Sequence, residues 1–486
     1  MQGTLLIEGN LRVPNAVWDE RSKSFRASAL YYRDIKNYLK KSEIDCEDTV
    51  LNLLPCPDLR AAFKTSGNRL KLRDYQAEAL DSWEKNEKQG VVVLPTGSGK
   101  TVVGIRAIAI CNTPALVLVP TLDLLEQWIK QLEEAFSMQI GKLGGGDKKL
   151  LPITVSTYDS AYIHAGVLGN LFGLLVFDEV HHLPATGYRS IAEFSAAPYR
   201  LGLTATYERE DELHTELNRL VGGKVYEKKV SELAGEHLAP FKIEKVQVAL
   251  TEAEQRAYDQ QYSVFLNYLK KTGIIMKSAR DFQKLVLRSG RDPHARQALL
   301  ARNRARDLAF NSASKIEKLA EILEKHEEDR IFIFTEHNNL VHQISRRFLI
   351  PAITYRTPLK ERNSILDKFK TGIFRAVVTS KVLDEGIDVP EANIGIIVSG
   401  TGSKRAYVQR LGRILRKREG KEAILYELIA AQTSETRTAY RRNEALSVGK
   451  NSAEKKPGGT KKPGNTKKFR DTKKSGGSGG EPYAEL

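Results

Sequence analysis

Lys100 and Thr101 close the run VVVLPTGSGKTV (Val91–Val102), in which an apolar stretch breaks into glycines and then into a helix start. A buried strand that turns through such a loop into a helix aims several backbone N–H groups at one point, and the helix dipole adds positive potential there. Thr96, Gly97, Ser98 and Gly99 would cradle phosphate oxygens, Lys100 would reach the outer phosphates of a nucleotide, and the Thr101 hydroxyl would ligate Mg²⁺. The strict phosphate-loop pattern asks for Gly where Leu94 stands, and its other three fixed positions match. A second block, LLVFDEVH (Leu174–His181), delivers Asp178 and Glu179 to the carboxyl edge of a sheet, where ligands of α/β folds bind. Asp178 suits the Mg²⁺ that bridges phosphates, and Glu179 suits orienting and deprotonating an attacking water. His181 and His182 lack further ligands at metal spacing, so His181 reads as a coupling residue and His182 as a packing one.

Phosphoryl transfer also needs positive charge opposite the γ-phosphate. QRLGRILR (Gln409–Arg416) places Gln409, Arg410, Arg413 and Arg416 in one helical region, and the i, i+3 spacing lets Arg413 and Arg416 converge on one anion. Arginine fingers of this kind contribute on the order of 10³–10⁵ in rate.

The elements that must hold these residues are legible as alternating strand and helix patterns. Val91–Leu94, Ala115–Val119, Ile153–Val155, Leu174–Phe177 and Leu201–Leu203 are continuous apolar runs, the mark of parallel strands covered on both faces. The alternation resumes near residue 313 with Ile331–Phe334, Ala352–Tyr355, Ala376–Val378, Ile394–Val398 and Ala423–Leu428. Two α/β sheets in tandem follow, so that arginines from the second sheet complete a site on the first only when the two close. Residues 241–310 read as mainly helical, with Tyr258, Tyr262, Phe265 and Tyr268 as a core stripe. Residues 1–67 form a small opening segment with strand runs at Thr4–Ile7 and Phe25–Tyr32 and a helix near Ile35–Leu39. Four six-residue units, KKPGGT, KKPGNT, KKFRDT and KKSGGS, run from Lys455 to Ser478; Gly, Pro and paired Lys cannot bury a core, so a disordered tail is expected.

The net charge of +16 is concentrated: residues 241–310 carry +7 and residues 449–486 carry +6, which leaves the rest nearly neutral. Clustering of that kind serves a polyanion-binding surface. At 486 residues and ~150 residues per domain, about three domains are expected. There is no run of 18 apolar residues and no basic region followed by an apolar stretch at the N-terminus, and Cys46, Cys56 and Cys111 lie in no CxxC spacing. A cytoplasmic protein with reduced thiols and no membrane contact is the expectation.

In order and spacing these blocks resemble the superfamily 2 helicases over about residues 70–430. The resemblance implies that RDYQ (Arg73–Gln76) reads adenine, with Gln76 on the base. It also implies that TAT (Thr204–Thr206) couples hydrolysis to movement through Thr204 and Thr206. SKVLDEGIDVP (Ser380–Pro390) would contribute Gly386 and Asp388 to the nucleotide site, with Gln409, Arg413 and Arg416. A narrower set of features is similar to the xeroderma pigmentosum group B (XPB) helicase family in its short archaeal form: DEVHHLPA, the RED triplet Arg209–Glu210–Asp211, the helical insertion and the β-rich opening segment. That family implies two RecA-like domains, 68–228 and 313–448, a helical thumb at 229–312, an α+β damage-recognition domain at 1–67, and a tail at 449–486. It further implies ATP and Mg²⁺ as cofactors, forked, distorted or duplex DNA as partner, and a part for Arg209, Glu210 and Asp211 in strand separation. Pro120, Thr121, Ser156, Thr157, Thr379 and Ser380 offer short hydroxyls and N–H donors at strand ends, suited to phosphates of any sequence. A monomer is expected, with a nuclease as candidate protein partner. Two other readings fit the motifs: an RNA-acting motor, and a scaffold that uses ATP to lock onto distorted DNA and recruit a nuclease. The charge distribution predicts DNA affinity that falls steeply between roughly 50 and 200 mM salt, and a flat dependence in a binding titration would contradict the basic-surface reading.

Overall fold

The computed structural model describes residues 3–9, 11–65, 71–209, 211–233, 241–276, 279–380, 392–399 and 423–436. Three short strands open the chain, β1 (Thr4–Ile7), β2 (Ala16–Asp19) and β3 (Ser24–Ser28), paired antiparallel in the order β1-β3-β2 and followed by α1 (Tyr32–Lys41). Leu5, Ala27, Tyr32 and Ile35 close a small core there, joined by Ala196 of the next layer. In α2 (Leu59–Thr65), Leu59 and Phe63 are buried with residues of the following sheet instead.

That sheet is built from α3 (Asp74–Lys85), β4 (Gln89–Val93), α4 (Lys100–Cys111), β5 (Ala115–Val119), α5 (Leu122–Phe136), β6 (Gly141–Gly144), β7 (Asp147–Lys149), β8 (Ile153–Thr157), α6 (Tyr158–Leu168), β9 (Leu174–Asp178), α7 (Arg189–Glu193), β10 (Tyr199–Thr204), α8 (Leu217–Leu220) and β11 (Lys224–Glu227). Its order is β11-β4-β10-β9-β5-β8-β6-β7, parallel except for the β6–β7 hairpin. Alternate residues of each central strand enter opposite layers. Val92, Val117, Val176 and Leu203 face one core. Val91, Leu116, Leu175 and Phe177 face the other. The continuous apolar runs are therefore strands buried on both sides, as their composition requires.

After α9 (Val230–Leu233) the chain forms β12 (Phe241–Val248), then α10 (Glu252–Thr272), α11 (Ala279–Ser289), α12 (Pro293–Phe310) and α13 (Ala313–Lys325). The second sheet continues with β13 (Ile331–Phe334), α14 (Asn338–Phe348), β14 (Ala352–Ile353), α15 (Leu359–Lys370), β15 (Ala376–Thr379), β16 (Ile394–Ile397) and β17 (Ala423–Ala430). All its strands are parallel, in the order β12-β17-β16-β13-β15-β14. The mainly helical reading of residues 241–310 holds for α10, α11 and α12, and it fails at the start of the segment. Phe241–Val248 is an edge strand of the second sheet, and the helices that follow are inserted within that sheet's own sequence. In α10, Thr251 and Glu254 form a capping box, and Gly273 takes the left-handed conformation that ends the helix. The aromatic stripe is core, as expected: Tyr258, Phe265 and Tyr268 are buried against α12 alanines such as Ala295, Ala298 and Ala305.

No described helix is long and apolar enough to cross a membrane. All three cysteines are free. The repeat tail lies outside the described residues, as do Glu210, Gly386, Asp388, Gln409, Arg410, Arg413 and Arg416.

Candidate nucleotide site and the residues coupled to it

Strand order places the candidate residues side by side. The phosphate loop follows β4, Thr204 ends β10, Asp178 ends β9, Thr121 follows β5, and Ser156 and Thr157 end β8. These five strands are neighbours, so one carboxyl edge carries the nucleotide residues on β4, β10 and β9 and the candidate phosphate contacts on β5 and β8.

Gly97 and Gly99 both have φ +81°, a conformation that favours glycine, and Gly99 is the N-cap of α4. Ser98 is fully buried and its hydroxyl donates to the Pro95 carbonyl at 2.6 Å, which braces the loop from inside. The Thr96 hydroxyl is buried with no hydrogen-bond partner among the described residues, an orphaned polar atom within the cradle. Lys100 rests on its own loop, with Nζ 3.4 Å from the Leu94 carbonyl and 3.9 Å from a Glu179 carboxylate oxygen. Gln76 is buried and fully engaged in this conformation. Its Nε2 donates to the Ser98 carbonyl at 2.8 Å and the Gly99 carbonyl at 3.3 Å, while its Oε1 accepts the Arg73 N–H at 2.9 Å. The Tyr75 hydroxyl donates to the same Ser98 carbonyl at 2.7 Å. Gln76 and Tyr75 therefore clamp the loop, and Gln76 must release it before it can meet a base.

Asp178 and Glu179 are both buried. One Asp178 oxygen accepts the Glu179 N–H at 3.0 Å, and the other accepts the Trp128 indole N–H at 2.8 Å. Burial, reinforced by the neighbouring Glu179 charge, pushes the Asp178 pKa up to about 6, against the opposing pull of Lys100. A buried carboxylate short of counter-charge fits a bound cation. The donor set (the Asp178 carboxylate and the Thr101 hydroxyl) consists of hard oxygens, as Mg²⁺ prefers. That ion is commonly held by one or two carboxylates together with substrate phosphates.

Glu179 has a left-handed backbone (φ 48°, ψ 53°), uncommon outside glycine and a small store of strain at the residue suited to activate water. Its carboxylate lies 3.3 Å from His181 Nδ1 and 3.5 Å from the Thr204 hydroxyl, and those two groups are 3.1 Å apart. Thr204 also donates to the Thr206 carbonyl at 2.8 Å. Arg209 continues the chain of contacts, with Nη1 donating to the His181 carbonyl and with paired bonds of 2.9 and 2.7 Å to Asp211. The structure thus brings Glu179, His181, Thr204, Thr206 and Arg209 into one connected network.

Thr121 is the N-cap of α5 and Thr157 that of α6, each accepting a backbone N–H through its side chain. Ser156 donates to the Thr157 carbonyl and Thr379 to the Ser380 carbonyl, both at 3.0 Å, so the two sheets repeat one strand-end arrangement. Pro120 precedes the Thr121 cap and is half-buried. Trp128 and Tyr75 were invisible as site residues in the sequence, since nothing local marks an indole or a phenol as the partner of a carboxylate or loop far along the chain.

Comparison with known proteins places this geometry in a family. Residues 1–50 match the xeroderma pigmentosum group B helicase damage recognition domain. Residues 69–209 match the type III restriction enzyme res subunit, and residues 296–449 the ERCC3/RAD25/XPB C-terminal helicase. A relative in Sulfurisphaera tokodaii, named DNA 3'-5' translocase XPB2, is 44% identical over 90% of this chain and 98% of its own length. The Mycobacterium tuberculosis DNA 3'-5' helicase XPB is 31% identical over 78% of this chain and 64% of its own. Against the helicase/translocase subunit XPB/SSL2 of the Saccharomyces cerevisiae transcription and repair factor IIH, the chain is 29% identical and spans 45% of that protein's length. The fold is shared with the Hef helicase domain of Pyrococcus furiosus, at a TM-score of 0.50 and 19% identity over 76% of this chain and 97% of that one. It is also shared with RNA-bound S. cerevisiae Dbp5, at 0.55 and 14% over 82% and 92%. Two tandem RecA-like sheets, a helical insertion and an N-terminal domain of the damage-recognition type, together with 44% identity over nearly all of an archaeal member, show that this chain belongs to the XPB helicase family.

Proposed function

We propose that this protein is an ATP-dependent DNA motor of 3′→5′ polarity, a helicase or duplex translocase that serves DNA repair of the nucleotide-excision type or transcription. The observation that carries the proposal is the unbroken network from the phosphate loop through Glu179, His181 and Thr204 to Arg209, which joins a hydrolytic site to a charged triplet outside it. Lys100 and the loop N–H groups bind the phosphates, and Thr101 and Asp178 hold Mg²⁺, which neutralises charge on the phosphates when bound. Glu179 takes a proton from the attacking water as the new P–O bond forms at the γ-phosphorus and the bond to the β-phosphate oxygen breaks. His181, Thr204 and Thr206 relay the change at Glu179 toward Arg209, Glu210 and Asp211. Stabilising transition-state charge is assigned to Arg413 and Arg416, and nucleotide binding to Gln409, Gly386 and Asp388.

Grip on DNA is assigned to Pro120, Thr121, Ser156, Thr157, Thr379 and Ser380, with the basic helices of 252–310 adding sequence-independent attraction, and distortion recognition to residues 1–67. The working form is a cytoplasmic monomer, with a nuclease as candidate partner.

Steady-state ATP hydrolysis should rise several-fold more with single-stranded or forked DNA than with matching RNA. Equal or greater stimulation by RNA would replace the DNA motor with an RNA-acting one, and ATP-stabilised DNA binding with no strand displacement or translocation would favour the scaffold.

A further inference from the structure

We propose that Trp128 is a positioning residue for Asp178, fixing the carboxylate that binds the metal and tying its placement to helix α5. Trp128 is 1% exposed and lies on the helix that follows β5, not on a strand of the nucleotide half of the edge. Its Nε1–H donates to Asp178 Oδ2 at 2.8 Å, while Asp178 Oδ1 accepts the Glu179 N–H. Each carboxylate oxygen has about two acceptor directions, so one donor on each holds the group in place and leaves a lone pair on each for a cation.

A second contact makes the placement specific. Gly104 sits within α4, the helix that starts at the phosphate loop, where glycine costs about 1 kcal/mol relative to alanine. Its φ is not positive, so conformational freedom does not explain it. Space does: a Cβ there would lie 2.6 Å from Trp128 Cη2 and 3.4 Å from Cζ3. The indole thus has one edge against the phosphate-loop helix and its N–H on the carboxylate.

The helix that carries it is held at its other end. Thr121 caps its start, and Asp123 in its first turn forms an ion pair with Arg362 of α15 at 3.0 Å, both side chains mostly buried. A shift of α5, driven by a phosphate at Thr121 or by movement of the second sheet at Asp123, is transmitted to Asp178 through one rigid side chain.

The inference rests on reading Asp178 as the metal carboxylate, and the test separates the two. Binding of a fluorescent ATP analogue to the full chain is measured in EDTA and across a Mg²⁺ titration for wild type, Trp128→Phe and Asp178→Asn, with thermal midpoints in parallel. Trp128→Phe keeps an aromatic ring and deletes the donor. The expected result is an unchanged affinity in EDTA and a half-saturating Mg²⁺ concentration raised about tenfold, the size typical for loss of a partner behind a metal ligand. A Mg²⁺ dependence unaltered in Asp178→Asn would overturn the metal reading itself. A shift in Asp178→Asn with none in Trp128→Phe would overturn the positioning role alone. If Trp128→Phe does not fold, Gly104→Ala displaces the ring instead, and a wild-type Mg²⁺ midpoint in that variant would likewise overturn it.

Discussion

Glu179→Gln should lower ATP turnover by about 10³-fold while leaving nucleotide affinity within a few-fold of wild type. The amide keeps the length and shape of the side chain, so the contact with the Thr204 hydroxyl and the left-handed backbone at this position are retained. What goes is the capacity to accept a proton from water. Single-turnover hydrolysis of labelled ATP, paired with binding of a fluorescent analogue, checks both halves. Turnover above a tenth of wild type would move the base elsewhere. The variant should also trap the nucleotide-bound state, in which DNA affinity can be read without cycling.

Lys100→Ala is expected to take hydrolysis below about 1% of wild type, because the phosphate loop then lacks the one side-chain cation that reaches the outer phosphates. Nucleotide-free DNA binding should stay within about twofold, since the Lys100 side chain is only 10% exposed and its ammonium faces Glu179. The same substitution removes the charge that opposes the upward push on Asp178, so the variant leaves two buried carboxylates with less compensation. Its thermal midpoint should accordingly fall. Substantial remaining turnover by a coupled-enzyme assay would sink the assignment of the phosphate loop.

The phosphate loop and the DEVH block were legible because each is local: glycines, a lysine and two acids stand next to the strands that present them. The central strands were legible for the same reason, being continuous runs of Val, Leu and Ile. The strands that escaped notice are edge strands or neighbours of one. β2, β7, β11 and β12 are terminal in their sheets and β6 pairs with β7. Half-exposed strands carry charge, as Lys242, Glu244 and Lys245 do in β12, and so lose the apolar continuity by which a buried strand announces itself. The loop clamp of Tyr75 and Gln76 and the contact between Trp128 and Asp178 depend on strand order, which no local pattern encodes. The His181–Glu179–Thr204 cluster falls between these cases. Its members were legible one by one, but their joining needed β9 and β10 to be neighbours.

The pairing of β12 with β17 bears on how the protein is made. The register sets Phe241 beside Ala423, so β12 leaves the ribosome about 180 residues before its partner among the described strands does. At a synthesis rate of about 5–20 residues per second the wait is roughly 10–40 s. The first sheet has all its strands by Glu227 and can fold on the nascent chain meanwhile. The second cannot close its order until translation has passed Ala430. Through that interval the charges on β12 discourage pairing with a neighbouring nascent chain, so they protect synthesis as well as solvate an edge.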